Sequence, residues 1–391
     1  MRKKRIGILT GGGDVPPLNA VLAAAQTAAA KRDVELVGFL YGWQGILDGR
    51  SVLLNKVRLN PHIGGTFLKS SRVNLAHEQN GIERSRQAFC KNKLDGLIVI
   101  GGEDTLSNVF HLPDFPQILI SKTIDNDVGI LTRKITPGDI VNYFTLGYPT
   151  AARKIASFAS LKEGLRTTAY SHERIIVLES MGMHAGWLAL SSALGNPDFI
   201  VIPEFPLDYG AFREKVVERY GMEKNAIIVI AEGARWRDGN HVSADENEKD
   251  DFGHPRFRGA AETLAKRLKK DLKKHFDTRN INFVNPSYLY RSGAPCRLDL
   301  EWANKLGHKA VELLAAGHTG STFLTIGREK ERFVVRPYAI KDIASMEQLH
   351  RFVDDRFYDP HELAITRAGR DYLHPINDDI PEEQYGLNKA R

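Results

Sequence analysis

Two short stretches carry the residues best suited to chemistry. "GGEDTL" at 101–106 and "SKTIDNDV" at 121–128 each continue an apolar run. A glycine pair after a strand often marks a turn that approaches a phosphate, yet here Glu103 and Asp104 follow it. In the second stretch an aspartate can act as general base for a sugar hydroxyl, a second can orient it or help to hold Mg²⁺, and Lys122 can neutralise charge on a transferred group. The alternative for this stretch is an Asx-type turn.

Two further stretches have features of phosphate binding. "ILTGGGDVPPLNAVL" at 8–22 reads as a strand, a glycine turn and a helix start, but it fits neither GxGxxG nor a Walker A loop. "HIGGTFLKSSR" at 62–72 offers Lys69 and Arg72, and such side chains clamp phosphoryl groups. A tight turn and a surface loop with incidental charge are the respective alternatives.

Candidate acceptor residues follow in the second half of the chain. "ESMGMHAGWLAL" at 179–190 combines a strand end with a glycine, and "IAEGA" places Glu232 at another strand end. "PSYLYRSGAP" adds Tyr288 and Arg291, three residues apart, which could hold a phosphate with one hydroxyl and one charge.

The elements that must position these residues are predicted from apolar, β-branched runs that alternate with helical patterns. Such runs are typical of parallel strands buried on both faces. The alternation predicts an α/β doubly wound fold, in which ligands lie at the carboxyl ends of the strands. The runs are 5–10, 34–40, 96–100, 117–121, 174–180, 199–204 and 225–233.

For the remaining segments the sequence predicts structural elements and no chemistry. Residues 261–274 predict a solvated amphipathic helix that buries Leu264, Leu268 and Leu272. A nucleic-acid patch would need interleaved aromatic residues, and this segment has none. Residues 243–259 predict a polar surface loop, and a strand–helix segment with a poorly ordered tail is expected after about residue 333.

Composition narrows the class of protein. The chain has 391 residues, 42% apolar and 26% charged, which is typical of a globular protein with one two-lobed unit or two domains. The net charge of +6 suits anionic substrates and weak nucleic-acid binding alike. Cys90 and Cys296 form no CxxC pair, which excludes a zinc ribbon. With no secretory core and no long apolar run, we expect a cytoplasmic protein without a membrane span.

Together these stretches resemble the phosphofructokinase family, in the same order and at similar spacing from Ile6 to about Gly320. The pairing of "GGTFLKSSR" with "KTIDND" is the most specific part of the match. The resemblance implies two Rossmann-like doubly wound lobes with the active site in the cleft between them. It implies a donor-binding lobe at 1–145 to which 292–333 return, an acceptor-binding lobe at 146–291, and a C-terminal extension at 334–391.

The resemblance also implies roles for individual residues. Asp125 matches the general base, and Lys122, Thr123 and Asp127 match its catalytic companions. The donor positions are Gly12, Arg72, Glu103, Asp104 and Thr105, with Glu103 holding Mg²⁺. The acceptor positions are Arg174, Met181, Gly182, Glu232, Tyr288 and Arg291. Arg174 matches an arginine that reaches across a subunit boundary, so a homodimer or homotetramer is implied.

The phosphoryl donor is implied by two of these positions. Family members that use pyrophosphate have an acid where Asp104 stands and a lysine where Lys122 stands, whereas ATP users often have glycine. The implied reaction moves phosphoryl reversibly from pyrophosphate to the 1-hydroxyl of fructose 6-phosphate, in glycolysis and gluconeogenesis, with no nucleic-acid or membrane partner.

Several departures from the family pattern keep other functions open. They are Pro17, Lys69, Met183, Asn282 and Tyr288, together with the longer segment 129–140. The alternatives are an ATP-dependent enzyme, a pyrophosphate-dependent kinase of another sugar phosphate such as sedoheptulose 7-phosphate, and a catalytically silent regulatory subunit.

Overall fold

The structure, a computed structural model, describes residues 2–129, 142–243, 259–329, 332–340 and 350–377. The chain divides into two compact units. Unit 1 consists of Met1–Thr150 and Arg291–Arg351, and unit 2 consists of Ala151–Tyr290 and Phe352–Arg391. Most of the predicted loop at 243–259, most of the segment 129–140 and the final tail lie outside the described residues.

Seven of the fourteen described strands coincide closely with the apolar runs. Each run overlaps one strand, and these seven strands are almost wholly buried, whereas the other seven lie outside the runs. The strands are β1 (Arg5–Thr10), β2 (Glu35–Phe39), β3 (Ser51–Leu53), β4 (Gly96–Gly101), β5 (Gln117–Thr123), β6 (Leu146–Gly147), β7 (Ile175–Ser180), β8 (Phe199–Val201), β9 (Ala226–Ala231), β10 (Ile281–Val284), β11 (Ser321–Glu329), β12 (Arg332–Ala339), β13 (Tyr358–Asp359) and β14 (Ala364–Ile365).

Helices follow most of the strands. They are α1 (Leu18–Ala30), α2 (Gly42–Asp48), α3 (Gly81–Lys91), α4 (Glu103–Ser107), α5 (Tyr148–Ala159), α6 (Leu165–Ser171), α7 (Trp187–Ser191), α8 (Tyr209–Glu223), α9 (Ala260–Asp271), α10 (Arg297–Ala315) and α11 (Arg367–Asn377). The amphipathic helix predicted over 261–274 is confirmed as α9, although it ends at Asp271. Leu264, Leu268 and Leu272, the last of these just beyond the helix, are fully buried.

Each unit is built on a largely parallel sheet, which confirms the predicted α/β class. In unit 1 the order is β12-β11-β5-β4-β1-β2-β3, and only the outer pairs β11–β12 and β2–β3 are antiparallel. In unit 2 the order is β10-β7-β9-β8, with every pair parallel. Because β1, β4 and β5 are adjacent and parallel, the loops that follow them meet at one sheet edge.

A buried carboxylate fixes the start of α5 in unit 1. Asp299 is fully buried and accepts hydrogen bonds from the backbone N–H groups of Gly147 (2.9 Å) and Thr150 (3.0 Å), and from the Thr150 hydroxyl. The Thr150 Oγ1 atom in turn accepts the backbone N–H of Cys296 at 3.0 Å. Burial raises the pKa of Asp299 to about 6, against the effect of these hydrogen bonds.

We therefore expect Asp299→Ala to lower the free energy of unfolding by about 2 kcal/mol or more, because two buried amides lose their acceptor. Urea-induced unfolding of the purified protein measures this change. Asp114→Ala is the matched control, because the Asp114 side chain is 81% exposed. Its ion pair with Arg86, at 3.7 Å, lies at the surface and should contribute little to stability. Equal stability of the two variants would contradict the capping role of Asp299.

Candidate active site

The glycine turn after β1 lies directly against the turn after β4. A Cβ atom at Gly11 would lie 2.6 Å from Thr105 Oγ1, and one at Gly101 would lie 2.3 Å from Thr105 Cβ. Gly12 has φ +75° and donates its N–H to Ser71 O at 3.0 Å. Only glycines permit this approach, so the turn joins two predicted donor residues, Gly12 and Thr105, to the 62–72 stretch.

Lys122, near the end of β5, is buried in the same place. Lys122 is only 2% exposed, and its ammonium group donates to the backbone oxygen of Gly13. Burial lowers its pKa to about 7, and the positive charge of Arg291 adds to this effect, while Asp14 and Asp127 oppose it. A lysine with such a pKa is unusual for a surface ion pair and typical of functional sites.

The loop after β5 holds Asp125 and Asp127 in a defined conformation. Thr123 Oγ1 accepts the backbone N–H of Asp125 at 3.1 Å. Asn126 has φ +55° and accepts the backbone N–H of Thr145 at 3.0 Å through its side chain. The Oδ1 atoms of both aspartates are inaccessible to solvent and have no hydrogen-bond partner among the described residues. An interaction with substrate or metal would supply the partner that these two buried acceptor atoms lack.

Both carboxyl groups hold protons more tightly than an ordinary aspartate. Burial raises the pKa of Asp125 to about 7, and the charge of Asp127 adds to this rise, while Arg291 and Lys122 oppose it. Burial also raises the pKa of Asp127, with a contribution from Glu103. A carboxylate whose pKa lies close to neutrality is suited to general base catalysis.

Arg291 lies beside these groups in unit 1. Its Nη1 atom is 3.2 Å from the position that a Cβ atom would take at Gly13. Tyr288, which the sequence paired with Arg291, belongs to unit 2 and is 72% exposed. The structure therefore groups Arg291 with Lys122 and Asp125, and the predicted pairing with Tyr288 stays a prediction.

The predicted metal-binding acid has a partner that the sequence did not reveal. Glu103 Oε1 lies 2.9 Å from His350 Nε2, whereas Asp104, the next residue of α4, is exposed. Arg72 is close enough to affect the pKa of Lys122. His350 stands in no motif, and no local pattern in the sequence could have identified it.

A divalent metal would be compatible with this arrangement. In the described part of the chain, no group of three or more His, Cys, Asp or Glu side chains is arranged to hold a metal ion by itself. Mg²⁺ in phosphoryl-transfer sites is usually held by one or two carboxylates together with substrate phosphates. Glu103, close enough to Asp127 to raise its pKa, and the unpartnered Oδ1 of Asp127 fit that pattern.

Three of the predicted acceptor residues, Met181, Gly182 and Glu232, meet at the carboxyl ends of β7 and β9. Gly182, with φ +126°, donates its N–H to Glu232 Oε1 at 3.1 Å. Its carbonyl accepts the N–H of Gly233 at 3.2 Å, so Met181 and Glu232 lie on adjoining loops. The neighbouring Gly186 N–H donates to Glu204 at 2.9 Å.

Arg174 does not join these acceptor residues within its own chain. It immediately precedes β7, at the end of the strand opposite to Met181, and a six-residue strand spans roughly 20 Å. Its Nη1 atom donates to Thr168 Oγ1 at 2.5 Å. A role of Arg174 in the site of a neighbouring subunit stays a prediction.

Comparisons with known proteins identify the family. The family description "Phosphofructokinase" matches residues 5–314, and the chain belongs to this family of enzymes. It is 36% identical over 365 residues to "Pyrophosphate--fructose 6-phosphate 1-phosphotransferase" of Dictyoglomus thermophilum, covering 92% of this chain and 98% of that protein. It is also 36% identical to "ATP-dependent 6-phosphofructokinase 3" of Streptomyces coelicolor, covering 84% and 92%.

Among solved structures, the chain resembles a pyrophosphate-dependent phosphofructokinase from Marinobacter aquaeolei. The TM-score is 0.78 at 22% identity, with 98% of this chain and 93% of that chain covered. This similarity shows the phosphofructokinase fold. Among the described residues, no helix combines the length and apolar character that crossing a membrane requires.

The raised pKa of Asp125 leads to a stability prediction. Folding raises this pKa from 3.8 to about 7, so the stability that the group contributes is present below about pH 4 and is lost as the pH rises through about 7. Asp125→Asn cannot ionise. We therefore expect the thermal midpoint of Asp125→Asn to lie above that of the wild type. This difference should be about 2 °C larger at pH 8 than at pH 5.

Thermal unfolding of both proteins across this pH range measures the difference. Asp114→Asn is the matched control, because this exposed aspartate should give the same difference at both pH values. If the Asp125→Asn difference is also independent of pH, the carboxyl group does not carry a buried charge in the folded protein.

Proposed function

We propose that this protein is a pyrophosphate-dependent 6-phosphofructokinase. It transfers phosphoryl from pyrophosphate to the 1-hydroxyl of fructose 6-phosphate, reversibly and with Mg²⁺, and gives fructose 1,6-bisphosphate and phosphate. The observation that carries the proposal is the burial of Lys122 beside Asp125 and Asp127, because the lysine is the residue that distinguishes pyrophosphate users in the family that the sequence resembles.

In this proposal the segment 122–127 removes a proton from the acceptor hydroxyl and compensates negative charge on the transferred phosphoryl group. Asp125 accepts the proton of the 1-hydroxyl, which its near-neutral pKa allows. Lys122 and Arg291 supply positive charge where the transferred group accumulates negative charge. Glu103 would hold Mg²⁺, which would supply positive charge to the phosphate groups of the donor. Thr123 keeps the loop in register through its contact with the Asp125 backbone.

Two side chains near the glycine turn support pyrophosphate as the donor. Asp104 projects from the exposed part of α4, where it would occupy the space of the α-phosphate of ATP. Lys69 stands where the family has glycine, has φ +60°, and places its Nζ atom 3.0 Å from Tyr41 Oη. The Lys69–Tyr41 contact would narrow the space beyond the second phosphate.

The acceptor assignment is supported by the unit 2 loops. Met181, Gly182 and Glu232 lie on loops that are joined by hydrogen bonds at the carboxyl ends of β7 and β9. Tyr288 and Arg291 add a hydroxyl and a charge at the end of the acceptor segment. Because Met183 and Asn282 depart from the family pattern, sedoheptulose 7-phosphate is the second acceptor to test.

We further propose a cytoplasmic homodimer or homotetramer. Its support is the position of Arg174, which lies at the end of β7 remote from Met181. An arginine there would serve the acceptor site of a neighbouring subunit, as the family resemblance implies.

A panel of donors and acceptors tests the proposed function. Purified protein should transfer phosphoryl from pyrophosphate to fructose 6-phosphate only with Mg²⁺, and kcat/KM for ATP should be at least about tenfold lower, a difference of about 1.4 kcal/mol. Sedoheptulose 7-phosphate should be the poorer acceptor. Asp125→Asn is the catalytic control, with turnover lower by about 10²- to 10⁴-fold. Equal or better use of ATP would overturn the donor assignment, and absence of any transfer would favour a regulatory subunit.

Asp104 provides a sharper test of donor selection. We expect Asp104→Gly to raise the ratio of kcat/KM for ATP to that for pyrophosphate by about tenfold, because the substitution enlarges the donor site. Glycine is unfavourable in a helix and can lower the stability of the variant. This loss does not change the ratio, since both donors are measured on the same folded protein. Lys122→Gly in the same background should raise the ratio further, and the two effects need not add, because both side chains act on one phosphate chain.

The surface substitution Asp114→Gly is the control for this experiment and should leave the ratio unchanged. An unchanged ratio in the Asp104 and Lys122 variants would place donor selection in other residues.

A further inference from the structure

The chain returns to the catalytic loop beyond the residues that the family description matches. Val128 forms an antiparallel bridge with His350, and the backbone N–H of Arg351 donates to Asp127 O at 2.8 Å. Because the family match ends at residue 314, these two residues are a contribution of the C-terminal segment to the loop that carries Asp125.

Arg351 anchors this segment in the interior of unit 1. It is only 6% exposed, and its Nη1 atom donates to the backbone oxygens of Asn142 and Tyr143, the latter at 2.9 Å. The Asn142 side chain donates to Val128 O at 3.1 Å and accepts the N–H of Ile326 at 3.1 Å. The backbone at His350 is thus held by its bridge to Val128 and by the buried hydrogen bonds of the neighbouring Arg351, which fix the point from which its imidazole extends.

The imidazole makes a specific contact with an acid. His350 Nε2 lies 2.9 Å from Glu103 Oε1, and the side chains are 30% and 38% exposed. A carboxylate at the start of a short helix otherwise samples several rotamers, which costs free energy when it must bind in one orientation. One fixed oxygen leaves the other oxygen of the same carboxylate for a metal ion.

We propose that His350 is a positioning residue of the phosphoryl-transfer site, which holds the Glu103 carboxylate in the orientation that binds the metal. The proposal rests on the proposed function only in so far as Glu103 is the metal ligand, and it holds for either phosphoryl donor. Hydrogen-bonding partners that orient metal ligands commonly contribute 10- to 100-fold to metal affinity or activity.

Metal affinity measured without turnover provides the test. Mn²⁺, which replaces Mg²⁺ and is detected by electron paramagnetic resonance, is titrated into the protein with methylenediphosphonate, and in parallel with a non-transferring ATP analogue. We expect His350→Ala to weaken Mn²⁺ binding about tenfold in whichever series the wild type binds. His350→Gln, which keeps a donor nitrogen at a similar reach, should restore most of the affinity.

The matched control is His318→Ala. His318 is another partly buried histidine of unit 1, with its Nε2 atom 2.7 Å from Thr322 Oγ1, and its loss should leave Mn²⁺ binding unchanged. In steady-state kinetics, His350→Ala should raise the Mg²⁺ concentration needed for half-maximal rate about tenfold and should leave kcat at saturating Mg²⁺ nearly unchanged.

Wild-type affinity in His350→Ala would overturn the proposal, as would equal losses in the Ala and Gln variants, which would indicate a merely structural histidine. If His350→Ala does not fold, His350→Phe, which keeps the ring volume without a donor, takes its place. If neither folds, the residue is structural and the proposal is wrong. A wild-type protein that rejects pyrophosphate but shows the His350 effect with the ATP analogue would overturn the proposed donor and support this inference.

Discussion

The burial of the Lys122 ammonium beside two carboxylates is the constraint on which unit 1 depends. A buried charge is costly unless partners compensate it, and here the lowered pKa of Lys122 and the raised pKa of Asp125 show that compensation is incomplete. The rest of the unit must therefore hold these groups together against their own preference for water. Such stored electrostatic cost is typical of sites in which a substrate completes the charge balance.

The glycines of the adjoining turns make this burial possible. Thr105 fills the space beside Gly11 and Gly101, where any Cβ atom would overlap it, and Gly13 accepts the lysine through its backbone. A larger residue in the turn would separate β1 from β4 at their carboxyl ends. The parallel sheet brings the three loops to one edge, and the small residues then allow charged groups to be enclosed there.

The sequence predicted many of the elements, and singled out the loop that carries Asp125 and Asp127, because both leave local patterns. Apolar runs identified seven of the fourteen described strands. Of these, β8 ends at Val201 rather than at 204, since Pro203 has no N–H to donate to a ladder. Contacts between distant residues leave no such pattern. His350 and Glu103 are 247 residues apart, and neither residue type nor spacing indicated that they meet. The placement of Arg291 beside Gly13 was likewise visible only in the fold.

Donor choice illustrates why residue environment matters more than overall similarity. Relatives named for pyrophosphate and for ATP are both 36% identical to this chain, so overall identity does not distinguish between the two donors. Asp104 is exposed, and water and salt screen its charge over a short distance, so its effect on a larger donor would come mainly from the volume it occupies. Lys122 is buried, where the lower effective dielectric would strengthen its interaction with a bound phosphate. On these grounds we propose that the lysine dominates the electrostatics of the proposed donor site and that the aspartate acts chiefly as a steric barrier.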